Sequence, residues 1–110
     1  MSVPYIYMKV KGTRVDVAPA PYPLCEGYEA WMREMRYSDV SLNHAVQALP
    51  LIVAAANKDM SYAQLMKSQF KVQPVQLKRL HKFAEHSASE DCMPSRVRIW
   101  LRKIKEDLPL

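Results

Sequence analysis

The chain holds only two glycines, Gly12 and Gly27, in 110 residues. That scarcity excludes a glycine-rich phosphate loop, which needs several glycines in one short stretch. It also argues against an all-β fold built on many tight turns. Cysteine is equally scarce. Cys25 and Cys92 stand far apart with no Cys-x-x-Cys spacing, so a disulfide framework is unsupported and a reducing cytoplasm is the expected setting. Long apolar runs are missing too. The longest, Ala48 to Ala56, is about half the length of a membrane span. The opening MSVPYIYMKVKG lacks the continuous apolar stretch of a secretory signal. The expectation is a soluble cytoplasmic protein that engages no membrane.

Catalytic groupings are sparse as well. Paired acids occur only at Glu90–Asp91 and Glu106–Asp107, in an expected loop and at an expected helix end. His81, His86 and Cys92 come nearest to a metal set. Their histidines, five apart, fall on different sides of a helix, and no fourth ligand is evident. Cys25 and His44 form no nucleophile pattern. The chain is therefore expected to be no enzyme and to carry neither metal nor cofactor.

What the chain does have is basic charge, unevenly placed. From Met1 to Asn57, five Lys and Arg balance five Asp and Glu. From Lys58 to Lys105, eleven basic residues face four acids. The net charge of +5 thus arises in the second half. Such asymmetry points to a polyanionic partner (nucleic acid, an anionic membrane or an acidic protein) or to a solvated basic face.

The length predicts one domain, and 49% hydrophobic residues fit a globular core. Residues 1–18 alternate around Lys11-Gly12-Thr13, which predicts a β-hairpin with strands near Tyr5 to Val10 and Arg14 to Ala18. Ala18 to Gly27 carries three prolines and reads as a stiff extended connection. Core helices are expected over 26–57. Tyr28, Trp31, Met32 and Met35 form one helical stripe, and Ser38 or Asp39 caps the next helix. Pro50 either kinks that helix or ends it near Leu49. Ser61 caps a further helix, and Pro74 suits the first turn of another. His86 to Asp91 reads as a loop. Over 95–108, Val97, Trp100, Leu101, Ile104 and Leu108 form the cleanest amphipathic stripe in the chain. The fold class is mainly α: an N-terminal β-hairpin followed by about five helices.

The segment 61–86 carries the functional signal. It pairs two short helices across a connection near Lys71. Met66, Phe70, Val72, Leu77 and Leu80 supply a small shared core, and VQPVQLKRL opens the second helix. Here about 25 residues resemble the helix-turn-helix superfamily, whose second helix lies in the DNA major groove. Two positions depart from the usual pattern. Lys67 stands where a small residue is common, and Lys71 stands where glycine often supplies a left-handed backbone. The resemblance implies an outward face of Gln73, Val75, Gln76, Lys78, Arg79 and Lys82. Arg or Lys can donate to guanine O6 and N7, and Gln can pair with adenine N6 and N7. Lys67, Lys71 and Lys82 would meet phosphates, which position the protein without reading sequence.

The implied function is a small sequence-specific DNA-binding regulator of transcription, its partner double-stranded DNA. A homodimer through the hairpin edges would set half-site spacing. A second reading stays open: a non-enzymatic adaptor or inhibitor, of phage or plasmid accessory type, docking on an acidic protein through its basic face or hairpin. RNA is also open, although no stacking platform is evident.

Overall fold

Leu24, Tyr28, Trp31 and Met32 recur at helical spacing, and each is at most 2% exposed. They line α1 (Tyr22–Glu34) in the computed structural model of the chain. The structure describes residues 6–10, 13–17, 22–68, 70 and 72–109. Helix α1 begins inside the proline-rich segment expected to be extended. Pro23 falls in the first turn, where no intrahelical donor is needed, and Leu24 adds one turn to the buried stripe. The helix stops sooner than its pattern suggests. Arg36 takes a left-handed conformation, φ 63. Arg36 N–H donates to the Arg33 carbonyl and Tyr37 N–H to that of Met32, the pairing that closes many helix ends. Met35, expected on the buried stripe, is consequently left 46% exposed.

Ser38 caps α2 (Asp39–Asn57), its hydroxyl accepting from Ser41 N–H at 3.1 Å. The helix runs on through Pro50, so of the two alternatives open there the ending near Leu49 does not occur. Proline has no N–H to offer the carbonyl four residues back, and inside a helix this costs ~3 kcal/mol. Burial offsets it: Leu49, Pro50, Leu51, Ile52 and Val53 are all buried. A helix buried on several sides needs neighbours on several sides, and α2 packs against α1, α4 and α5.

The remaining helices are α3 (Tyr62–Lys67), α4 (Pro74–Ala84) and α5 (Ser95–Ile104). The segment expected as a loop before α5 contains a short 3-10 turn, Ser87–Ser89. The last α-helix ends earlier than 108 and passes into a 3-10 turn, Lys105–Asp107. The described part of the chain is thus mainly helical. Ahead of the helices the backbone forms β1 (Ile6–Val10) and β2 (Thr13–Val17), paired antiparallel with Met8 opposite Val15. The expected turn at Lys11 and Gly12, and the contacts that the strand side chains make, lie outside the described residues. Among the described residues, no helix is long and apolar enough to cross a membrane.

Trp100 anchors α5. It is 2% exposed, and its Nε1 donates to the Met60 carbonyl at 2.7 Å, tying α5 to the turn between α2 and α3. Gly27 on α1 meets the loop before α5. A Cβ there would stand 2.6 Å from Cys92 Sγ and 3.3 Å from Cys92 Cβ. Burial pushes both thiols above their ordinary value, Glu29 adding to the shift at Cys25 and Arg98 opposing it at Cys92.

The unfolding stability of four variants checks this packing. Trp100→Phe keeps a ring but orphans the Met60 carbonyl, and should cost about 1–3 kcal/mol in urea unfolding. Trp100→Ala should cost about 3–5 kcal/mol. Gly27→Ala should destabilise by about 1–3 kcal/mol, despite the better helix propensity of alanine. Adding Cys92→Ala should recover most of that loss, because the 2.6 Å clash is with the sulfur.

Candidate nucleic-acid interface

Ser61 starts α3 with a reciprocal cap. Its hydroxyl accepts from Gln64 N–H at 3.1 Å, while Gln64 Oε1 accepts from Ser61 N–H at 2.9 Å. This capping box satisfies two otherwise orphaned donors. Ser68 ends the helix. Its hydroxyl donates to the Leu65 carbonyl at 2.7 Å and accepts from Phe70 N–H at 3.1 Å. The chain then runs from Ser68 to Gln73 before α4 begins at Pro74. That connection is longer than the three or four residues usual in a helix-turn-helix. Phe70 and Val72 lie in it and are buried, 5% and 4% exposed, so they plug the space beneath the connection. Gln69 and Lys71, including the expected turn position and phosphate contact at Lys71, lie outside the described residues.

Pro74 opens α4, and Gln73 is its N-cap without a side-chain cap bond. The Gln73 amide therefore stays available to a partner. Leu77, Leu80 and Phe83 are fully buried. Their spacing leaves Val75, Lys78 and Lys82 on the opposite side, all exposed, as are Gln73 and Lys67. Val75 is 53% exposed, an unusual placement for a β-branched apolar residue in a helix. No acid lies between Pro74 and Ala84.

Gln76 and Arg79 behave differently from the rest of the expected face. Both are half-buried. The Arg79 guanidinium lies 4.9 Å from the centre of the Tyr37 ring, and its Nη1 stands 3.5 Å from Gln76 Oε1. Tyr37 in turn packs on Trp31 at 5.9 Å. Arg79 is thus held at one edge of α4 by an aromatic ring, an arrangement that limits its rotamers. Nearby, burial keeps the Tyr28 hydroxyl neutral by pushing its pKa well up, Arg79 opposing that shift. Sequence periodicity placed Arg79 outward but could not reveal its platform, because Tyr37 lies on a different element.

At the other edge of α4, His81 is buried and its Nδ1 stands 2.9 Å from Glu85 Oε1. Burial lowers its pKa, Glu85 opposes this, and Lys105 and Arg102 add to the lowering. Three basic residues of α5 and the 3-10 turn after it also have partners within the fold. Arg98 donates to the carbonyls of Ala84 and Ser89, closing the end of α4. Lys103 bridges both Asp59 carboxylate oxygens, at 3.0 and 3.1 Å. Lys105 meets Glu85 at 3.4 Å. Charge counting along the sequence makes all of these one basic face; the structure divides it. Among the described residues no three His, Cys, Asp or Glu side chains gather to hold a metal. His86 Nδ1 accepts from Ala88 N–H, and Cys92 lies against Gly27.

The lowered pKa of His81 sets a pH dependence. The unfolded chain takes up this proton near 6.5, whereas the folded chain resists it. In that window the unfolded state binds more protons, so stability rises with pH. The His81 contribution is complete above about pH 6.5 and falls away as pH drops towards the lower folded value. Thermal unfolding from pH 8 to pH 5 should show this decline, and His81→Gln should flatten it.

The chain was also compared with known proteins: no family model, no curated protein and no solved structure matches it.

Proposed function

We propose that the protein is a small, sequence-specific DNA-binding regulator of transcription. It would present α4 to the major groove, with α3 as the supporting helix of a helix-turn-helix and the N-terminal strands outside that unit. The supporting observation is the outer face of α4. Val75, Lys78 and Lys82 are exposed there, with the uncapped Gln73 at its start and no acid within the helix. Residues near the start of a reading helix reach base edges. Gln73 and Gln76 suit adenine, Lys78 and Arg79 suit guanine, and Val75 suits a thymine methyl group. Lys67, Lys71 and Lys82 suit phosphates. The Tyr37 platform would hold Arg79 in one geometry before binding, which reduces the entropy lost on contact. The function is one of binding rather than catalysis, in the cytoplasm.

A second reading rests on a different observation. An open groove of about 610 Å³ lies between the end of α2 and α5, lined by Ala56, Asn57, Asp59, Arg96, Ile99, Trp100 and Lys103. Ile99 is 62% exposed. A protein-binding adaptor would use such a groove for an apolar anchor with an acidic flank.

Fluorescence anisotropy with a labelled duplex, titrated across salt, tests the first reading. Log affinity should fall linearly with log salt. Lys78→Ala should weaken preferred-site binding by about 1–3 kcal/mol, and Lys82→Ala should weaken all duplexes alike and lower the salt slope by about 1. Absence of binding at low salt, with the helical spectrum intact, would sink the DNA reading.

A further inference from the structure

Lys78, Lys82 and Glu85 stand at i, i+4 and i+7 along α4 and its cap, and so share one stripe. Arg98, Arg102 and Lys105 repeat that spacing along α5 and into the 3-10 turn after it. The two stripes meet at the end of α4. Arg98 donates to the Ala84 carbonyl, and Lys105 Nζ stands 3.4 Å from Glu85 Oε1. Arg102 and Lys105 are both close enough to His81 to disfavour its charged form. Glu85 is the one carboxylate on these stripes, and it touches both His81 and Lys105.

The chemistry of this edge is specific. Arg98 is committed to backbone carbonyls, leaving four exposed cations on the stripes: Lys78 and, nearer the point where the stripes meet, Lys82, Arg102 and Lys105. Lys105 and Glu85 are 60% and 61% exposed, so their ion pair is weak and readily exchanged. Exposed Ile99 and the groove beside it lie on the other edge of α5, with Arg96 and Lys103. An acidic peptide would need apolar anchors as well as charge. A row of charges without them suits a phosphate backbone.

We propose that the edge shared by α4 and α5 is a phosphate-contacting row for duplex DNA, made by Lys82, Arg102 and Lys105, with Glu85 as its internal competitor. The proposal rests on the reading of α4 as a duplex-binding helix. Phosphate would displace Glu85 from Lys105, and the Glu85 carboxylate would hold overall affinity down by repelling the same phosphate. Sequence preference would be unaffected, because phosphate contacts position a protein without reading bases.

The test is the salt dependence of duplex binding for the wild type, Arg102→Ala/Lys105→Ala and Glu85→Gln. The double variant should lose about 0.9 of log–log slope per lost contact, with its ranking of different duplexes unchanged. Glu85→Gln keeps an acceptor for His81 Nδ1 but removes the charge, and should bind a few-fold tighter with a slope no shallower than wild type. A wild type that binds while the double variant keeps the full slope would overturn the phosphate row and leave the α4 reading standing. Weaker binding by Glu85→Gln would overturn the competitor role. Failure of the wild type to bind any duplex would overturn the α4 reading and this proposal together. Displacement of duplex by poly-glutamate at equal charge concentration would assign the edge to acidic protein and overturn it as well.

Discussion

An α-helix with apolar residues on several sides has to be wrapped, and the second half of α2 is such a helix. Leu49 through Val53 are consecutive and all buried, with Ala55 and Ala56 beyond them. No single partner can cover that run, so α1, α4 and α5 each take part of it. The same burial stabilises Pro50 in mid-helix, where a solvent-exposed helix would break. The outward faces of α4 and α5 follow from this arrangement. Leu77, Leu80 and Phe83 turn inward from α4, and Val97, Trp100, Leu101 and Ile104 from α5; the basic residues are displayed because the apolar ones are consumed.

A cluster of rings carries the second layer of the architecture. Tyr28 and Trp31 pack on Phe83 with ring centres 5.2 and 5.3 Å apart, which fastens α1 to α4. Such ring pairs contribute about 0.5–1.5 kcal/mol beyond their buried area. Tyr37 extends the cluster to the surface and offers its ring to Arg79. The position of a candidate base-reading arginine therefore depends on the way α1 ends. The left-handed Arg36 turns the chain so that Tyr37 falls beside Trp31, and Trp31 beside Phe83.

The basic residues of the second half fall into two groups. Arg98 closes the end of α4, Arg79 rests on an aromatic ring, and Lys103 meets Asp59 in an exposed ion pair. These cations have partners within the fold. Lys78 and Lys82 project from a helix without acids and make its outer face basic. A net charge alone makes no such distinction.

Much of this fold was legible in the sequence wherever one residue acts on its neighbours three or four positions away. Ser38 and Ser61 cap helices that begin where expected, and α5 buries Val97, Trp100, Leu101 and Ile104 of its stripe, while Leu108 lies half-buried beyond the helix. The outward placement of Val75, Lys78 and Lys82 follows from Leu77 and Leu80 in the same way. Each of these depends on helix geometry, which is local. Tertiary structure decided the rest. Pro50 stays in α2 because distant helices bury it, α1 reaches back to Tyr22 because Leu24 finds the core, and Met35 is left out because the chain reverses at Arg36. It also decided that Arg79 sits on Tyr37, that Arg98 serves the carbonyls of Ala84 and Ser89, and that Glu85 faces Lys105. Those pairings join residues on different elements, and only the packing of α1, α4 and α5 around α2 brings them within reach.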